Sequence, residues 1–361
     1  MVVLCIRKHK LNIEFILFIE MNLIKRWIAM KKLCLVFAVM LTVLLAGCGE
    51  MSQQDVVDKL TSNLDDAKSY YATGVMEVDN NGQMYQYNVE VAYQQPNYYK
   101  VTLKNETTNN EQIILKNDDG VYVLTPALNK QFKFQSDWPL SSSQVYLYQS
   151  LLSDILNDTE TSFLSEDDCY TFETVANYHG NRDLTTQKVV FDKKSLTPTE
   201  VYVMDAEGTP RVSMKFTSFK FNEDLADGYF DCQQTMEYSQ ETMGEGVINT
   251  LTGELYPSYL PEGTTLSNKQ SIETEMGERI IMTFDGDKDF TMIQEPASYS
   301  ETGNLETVAE EPVLINGTIG ALSDNSITWV DRGVEFFLVS ETLEEDELVS
   351  VASSMTSYFE K

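Results

Sequence analysis

Histidine is almost missing from this sequence. Only His9 and His179 occur among its 361 residues, so a histidine-based catalytic triad or a histidine-rich metal centre is not expected. His179 stands in Tyr178-His179-Gly180-Asn181, a context that reads as a surface turn. No Walker loop, glycine-rich dinucleotide fingerprint or Cys-x-x-Cys pair occurs. Paired carboxylates could cleave a glycosidic bond, but a chain with 56 Asp and Glu residues contains such pairs by chance. The expectation is a protein that is not an enzyme, with no catalytic residues, no metal and no cofactor. Positive charge is also scarce, because 26 Lys and Arg residues give a formal charge of −30. That balance excludes nucleic acid as a partner and makes anionic headgroups repulsive, whereas a basic membrane or cell-wall protein would be attracted.

Long apolar runs are lacking too. The run from Leu33 to Leu45 spans 13 residues, short of the roughly 20 that a bilayer core requires. Met30, Lys31 and Lys32 precede it and small residues close it, which is the order of a signal peptide. Leu45-Ala46-Gly47-Cys48 resembles the bacterial lipobox, which implies a diacylglycerol on the Cys48 sulfur and a mature chain that starts there. A single acyl chain binds a membrane marginally, whereas two hold a protein stably. Glu14, Glu20, Lys25 and Arg26 interrupt any second apolar helix upstream, so translation is expected to begin at Met21 or Met30. Residues 1–47 therefore read as a signal peptide with an upstream extension. The expected location is the extracytoplasmic face of the cell membrane, held by the covalent lipid anchor.

Cleavage would leave 314 residues with 19 basic and 54 acidic side chains, a net charge of −35. At roughly 150 residues per domain that is enough for two cores. A 42% hydrophobic and 11% aromatic content exceeds that of a disordered chain, and a mean hydropathy of −0.26 excludes a polytopic membrane protein. Of the cysteines, Cys169 and Cys232 remain, and they are expected as free thiols rather than a disulfide.

Gln53 to Tyr70 predicts a helix, with Val56, Val57, Leu60, Leu64 and Ala67 on one stripe. The period then changes to two. Tyr85, Tyr87, Val89, Val91 and Tyr93 alternate with mostly polar neighbours, as do Tyr99, Val101 and Leu103. Further strands are expected at Gln112–Lys116, Val121–Thr125, Gln131–Phe134, Tyr170–Thr174, Gln187–Phe191, Glu200–Met204 and Arg211–Phe219. Asn80-Asn81-Gly82 and Asn117-Asp118-Asp119-Gly120 punctuate them as hairpin turns. A helix at Ser142–Asn157 carries Val145, Leu147, Tyr148, Leu151, Leu152, Ile155 and Leu156 at helical spacing. The prediction is an α+β fold, an antiparallel sheet with helices across one face, over residues 48–232. Residues 233–254 are polar and contain Gly244, Gly246 and Gly253, so they read as a linker. A small α+β domain is expected at 255–361. Its strands fall at Ile280–Phe284, Phe290–Gln294, Val313–Ile315, Ser326–Val330 and Glu335–Val339. A terminal helix with Thr342 and Glu345 as its capping box follows.

The stretch Ile113-Ile114-Leu115-Lys116-Asn117-Asp118-Asp119-Gly120-Val121-Tyr122-Val123-Leu124-Thr125-Pro126, continuing through Phe132, Phe134 and Trp138-Pro139, resembles the LolA/LolB lipoprotein-carrier superfamily. Within it, the likeness is to the YdcC-type sporulation lipoproteins of Bacillota and covers roughly Met51 to Phe230. It implies an antiparallel half-barrel whose apolar concavity is lidded by helices. Leu255-Tyr256-Pro257, Leu260-Pro261-Glu262-Gly263, Asn316-Gly317 and Trp329 resemble a small C-terminal domain of unknown function found in Bacillota lipoproteins. Carriers of this superfamily shield acyl chains, while their RseB-type relatives bind another protein.

The aromatic set Tyr85, Tyr87, Tyr99, Phe132, Phe134, Trp138 and Tyr146 admits two readings. Most of it suits the core of a sheet packed on helices. A half-barrel can also leave part of its core open for an acyl chain, and Phe132, Phe134, Trp138, Tyr146, Leu147 and Leu151 are the residues expected to line such a cavity. Asp285-Gly286-Asp287-Lys288-Asp289 suggests a calcium loop, yet Phe290 stands where the turning glycine belongs and Pro296 where the bidentate glutamate belongs. A hairpin turn is the expectation there. The resulting expectation is a non-catalytic, lipid-anchored binding module associated with sporulation, which holds a lipid or other hydrophobic ligand or docks a partner protein. An RseB-like envelope sensor is the alternative, and an enzyme acting on the cell wall is the third reading.

Overall fold

In a computed structural model of the chain the described residues are 31, 50–80, 82–136, 138–139, 143–178, 183–243, 253–303, 305–308 and 311–357. Cys48 and His179 lie outside them. Gln53–Lys361 form one compact unit, which holds every element that follows. No helix among the described residues is long and apolar enough to cross a membrane.

Helix α1, Gln53–Asp66, buries Val56, Val57 and Leu60. It stops four residues earlier than its apolar stripe predicts, because Ser69 already begins strand β1, Ser69–Asn80. Tyr70 is drawn into that strand by ring contacts with Tyr93 and Phe219, at centroid distances of 5.2 and 5.0 Å. Strands β2 (Gln83–Gln94), β3 (Tyr98–Asn105), β4 (Glu111–Asn117), β5 (Gly120–Thr125) and β6 (Lys130–Phe134) follow as hairpins. Helix α2, Tyr148–Asn157, then leads to β7 (Ser162–Ser165), β8 (Cys169–Val175), β9 (Leu184–Asp192), β10 (Pro198–Asp205) and β11 (Pro210–Phe221). With β16 (Leu305–Val308) they form one twelve-stranded sheet of order β16-β6-β5-β4-β3-β2-β1-β11-β10-β9-β8-β7. All neighbours are antiparallel except β16 on β6. The edges β16 and β7 do not pair with each other, so the sheet is an open half-barrel rather than a closed barrel.

Alternation decides which side is buried. Tyr70, Ala72, Met76 and Val78 of β1 sit opposite Tyr93, Val91, Tyr87 and Tyr85 of β2, all on the inner face. Helices α1 and α2 cover one end of that face. There the Tyr148 hydroxyl donates to the Leu60 and Leu196 carbonyls at 3.3 Å each. Helix α2 begins at Tyr148, whereas Val145, Tyr146 and Leu147 reach the core from a turn ahead of it.

The stretch expected as a linker at 233–254 begins instead with helix α3, Cys232–Met243. Met236 and Cys232 pack on Ile113, Leu115, Tyr122 and Leu124, on the outer face of β4 and β5. Both faces of those strands are therefore covered, which explains their unbroken apolar sequence. Cys169 and Cys232 are free thiols.

The second lobe is a seven-stranded antiparallel sheet of β13 (Thr265–Thr274), β14 (Gly277–Asp285), β15 (Phe290–Pro296), β17 (Glu311–Ile315), β18 (Thr318–Ser323), β19 (Ser326–Asp331) and β20 (Val334–Val339). Their order across the sheet is β13-β14-β15-β20-β19-β18-β17. Asp285–Asp289 form the turn of the β14–β15 hairpin. Short strands β12 (Leu255–Pro257) and β21 (Met355–Ser357) pair beside helix α4, Glu345–Ser353. The capping box of α4 uses Glu344 and Glu347 rather than Thr342 and Glu345. Leu348, Val351, Ala352, Met282, Phe336 and Leu338 meet in this lobe's core.

The two lobes are stitched together. Strand β16 runs along the edge of β6, and the Asn129 and Gln131 side-chain amides donate to the Ser300 and Gly303 carbonyls at 2.7 and 2.6 Å. Lys130 Nζ lies 2.8 Å from Glu335 Oε2, and the Tyr87 hydroxyl donates to the Asn316 carbonyl at 2.6 Å.

Candidate functional site

Where the helices end, the inner face of the half-barrel opens into a cleft of about 520 Å³ against the second lobe. Strand ends build one wall: Val78 to Asn80 of β1, Leu184 and Thr185 of β9, Asp205 of β10, and Arg211 and Val212 of β11. Ile114, Trp138 and Tyr146 lie buried beneath it, while half-buried Leu184, Pro312 and Leu314 give it apolar surface. The facing wall is Pro312, Val313 and Leu314 of β17, Ile319 of β18 and Ser350, Ser353 and Ser354 at the end of α4. A smaller space of about 40 Å³ lies around Tyr87, Gln112, Gly317 and Arg332. It is a seam of the lobe junction.

One arginine organises the first wall. Arg211 Nε donates to Asp205 Oδ2 at 2.8 Å, and Arg211 Nη1 donates to Asp79 Oδ2 at 3.1 Å. The other Asp205 oxygen accepts the backbone N–H groups of Glu207 and Thr209 at 3.1 and 2.8 Å, which shapes the β10–β11 turn. The other Asp79 oxygen accepts the Gly82 N–H at 2.7 Å in the β1–β2 turn. Two hairpin turns are thereby fixed to one guanidinium. The Thr209 N–H, and then Arg211, hold the Asp205 carboxyl below its usual range.

Under the same wall lies a polar chain. Ser143 Oγ donates to Asp154 Oδ1 at 2.9 Å, Gln187 Nε2 donates to Asp154 Oδ2 at 2.8 Å, and the Tyr178 hydroxyl donates to Gln187 Oε1 at 2.5 Å. Burial raises the Asp154 carboxyl to about 6, against the opposing pull of Gln187 and Ser143. Burial raises the Tyr178 hydroxyl as well. Ser143 and Tyr178 reach the cleft, so this chain connects the helical lid to its lining.

Trp138 and Tyr146, expected as cavity residues, border the cleft but are themselves only 1% exposed. Phe134, Leu147 and Leu151 are sealed, with 4%, 0% and 0% exposure, and do not line it. Phe132 is half-buried on β6. Sequence reasoning did not single out Asp79, Asp205, Arg211 or the edge of β17. The one available signal was that basic residues are scarce, with four arginines beyond residue 48. Among the described residues, no group of three or more His, Cys, Asp or Glu side chains is placed to hold a metal ion. The arrangement suits binding, with an apolar floor, a turn-fixed charged wall and a second lobe opposite.

The family described as "Sporulation protein YdcC-like" matches residues 30–230. Sporulation protein YdcC of Bacillus subtilis (strain 168) is 41% identical over 332 residues, spanning 90% of this chain and 98% of that protein. Among solved structures, the MucA/MucB complex of Pseudomonas aeruginosa includes a chain with 14% identity and a TM-score of 0.33, matched over 85% of this chain and 100% of that one. A LolA-superfamily protein of Nitrosomonas europaea has 12% identity and a TM-score of 0.30, over 51% of this chain and 100% of that one.

Proposed function

The chain belongs to the YdcC-like family of sporulation proteins, and from that membership we propose that it is a non-catalytic binding module, tethered outside the cytoplasm by a lipid on Cys48, whose inter-lobe cleft docks a partner protein. The observation that carries this reading is the contrast between a sealed apolar interior and an open cleft with charged walls. Leu147 and Leu151 have no exposed surface, so their end of the half-barrel offers a hydrocarbon chain no room. The cleft is open, but Asp79, Asp183, Asp205, Glu207 and Arg211 surround it. An acyl chain laid there would strip water from those charges without replacing its hydrogen bonds. A polypeptide supplies such bonds along its whole length.

Ala206 lies exposed at the cleft wall, so Ala206→Trp fills the opening without touching the core. In a strain lacking the gene, the wild-type chain should restore spore formation and Ala206→Trp should not, with equal abundance and melting temperature. Normal spore formation by the variant removes the cleft from the function. The anchor is tested separately. Cys48→Ala should move the protein to the soluble fraction, and retention on membranes after a high-salt wash would place the attachment elsewhere.

A further inference from the structure

The wall of the cleft contributed by the second lobe is a sheet edge. Strand β17 ends the order of the seven-stranded sheet, pairing with β18 alone among the described strands. Pro312, Val313 and Leu314 of β17 line the opening. The direction of the β17 backbone groups follows from its register. Residues directly opposite in an antiparallel pair either exchange both hydrogen bonds or exchange none. Leu314 is opposite Ile319, and the Ile319 backbone is engaged elsewhere. Its N–H donates to Gln112 Oε1 at 2.6 Å and its carbonyl accepts Gln112 Nε2 at 3.3 Å. Leu314 therefore turns its N–H and C=O away from β18, toward the open side. Pro312, two residues earlier, turns the same way and contributes a carbonyl. It has no N–H to lose there, which is where a sheet tolerates proline.

From this edge we propose that the partner enters the cleft as an extended, cationic segment that adds a strand to β17. The inference rests on the docking function above and specifies the chemistry of the partner. Main-chain bonds to Leu314 and Pro312 would give the contact its direction, and alternate side chains would meet the half-buried Leu184 and Tyr178 of the cleft lining. Charge selects the side chains between them. Among the described lining residues the acids are Asp79, Asp183, Asp205 and Glu207, and Arg211 is the one Lys or Arg. Arg211 is already held by two of those carboxylates. An incoming segment with Lys or Arg at alternate positions meets a net negative opening, while an acidic segment is repelled.

The probe is a fluorescent eight-residue peptide alternating Val with Lys, measured by anisotropy on the full folded chain at low and physiological salt. Three companions differ from it by one property each: Glu for Lys, N-methylation of alternate backbone nitrogens, and scrambled order with proline inserted. The Val-Lys peptide should bind, with an affinity that falls as salt rises, and the other three should bind at least tenfold more weakly. Leu314→Pro removes the outward N–H and leaves the bonds to β18 in place, so it should lower affinity at least tenfold without altering the melting temperature. If that variant fails to fold, the N-methylated peptide on the unaltered protein decides the same question. Equal binding of the N-methylated and parent peptides overturns strand addition, and equal binding of the Glu peptide overturns the charge preference. Absence of peptide binding while Ala206→Trp still abolishes spore formation overturns this inference and leaves the docking cleft standing. Absence of both effects overturns the two together.

Discussion

At one end of the concave sheet Tyr148 meets Phe219, Phe221 and Phe191 at ring centroid distances of 5.7, 5.3 and 6.1 Å, and Phe191 meets Phe172 at 6.0 Å. At the other end the same strands finish in Val78, Asp79, Asp205, Arg211 and Val212 around open space. Strand and helix lengths account for the difference. Strands β1 and β11 each have 12 residues, about 40 Å of extended chain. Helices α1 and α2, with 14 and 10 residues, are about 21 and 15 Å long and about 10 Å across. Laid side by side, the pair covers only about half of the strand length. The covered half can be a rigid aromatic core. The remainder must be met by another element, and the second lobe meets it incompletely.

The largest effect should come from breaking the closed end. Leu151 on α2 has no exposed surface, so Leu151→Asn removes buried apolar contacts and introduces an amide among apolar neighbours. We expect a loss of about 3 to 5 kcal/mol, seen as a fall in melting temperature of roughly 5 to 8 °C. Long-chain lipid vesicles should raise the melting temperature of neither this variant nor the wild type. A Leu151→Asn protein that melts normally, or a wild type stabilised by lipid, would mean that the sealed end opens in solution and that the two ends are alike.

The closed end was far more legible in the sequence than the open one. Period-two alternation marked β2, β3, β8, β9 and β10 because one face of each is apolar. Strand β1 was missed: Gly74 and Asp79 weaken its pattern, and the stripe of α1 runs into its first residues. Helix α3 was missed because its burial rests on few side chains, among them Met236, Thr235 and Ser239. The cleft could not be read at all, since its walls come from residues as far apart as Val78 and Ser354. Only the lobe junction brings them together. Trp138 and Tyr146 border the cleft and Phe134 does not, although all three are buried, and nothing local in the sequence separates them.

A smaller effect should follow from disturbing that junction. Gly317 has φ +82, and a Cβ there would overlap the Tyr87 ring. Gly317→Ala therefore combines left-handed strain of about 1 kcal/mol with a steric clash, for a total of about 2 to 3 kcal/mol. Because the clash is with the other lobe, small-angle scattering should show a larger radius and calorimetry two transitions in place of one. In a Tyr87→Leu background the ring is gone, and Gly317→Ala should cost only the backbone strain. Equal costs in the two backgrounds would mean that Tyr87 does not hold the lobes, and the open end would then owe its shape to other contacts.

The smallest effect concerns Asp154, where the closed end meets the cleft wall. Its carboxyl is raised from the ordinary 3.8 to about 6 by burial. Between those values the folded protein retains a proton that the unfolded chain has released, so stability falls as pH rises through the window. The contribution is complete below about pH 4 and lost above about pH 6. Asp154→Asn keeps the shape, accepting from Gln187 Nε2 and donating to Ser143 Oγ, and carries no charge at any pH. We expect it to be more stable than the wild type by about 1 to 2 kcal/mol near pH 7.5, allowing for the partial exposure of the site. Near pH 4 the two should be equal, with the acid-side slope of stability reduced in the variant. The opposite outcome, a loss of stability at neutral pH, would show that the ionised carboxylate is itself used. In that case the chain from Asp154 through Gln187 to Tyr178 would belong to the charged wall of the cleft, and the boundary between the two ends would shift one layer deeper into the half-barrel.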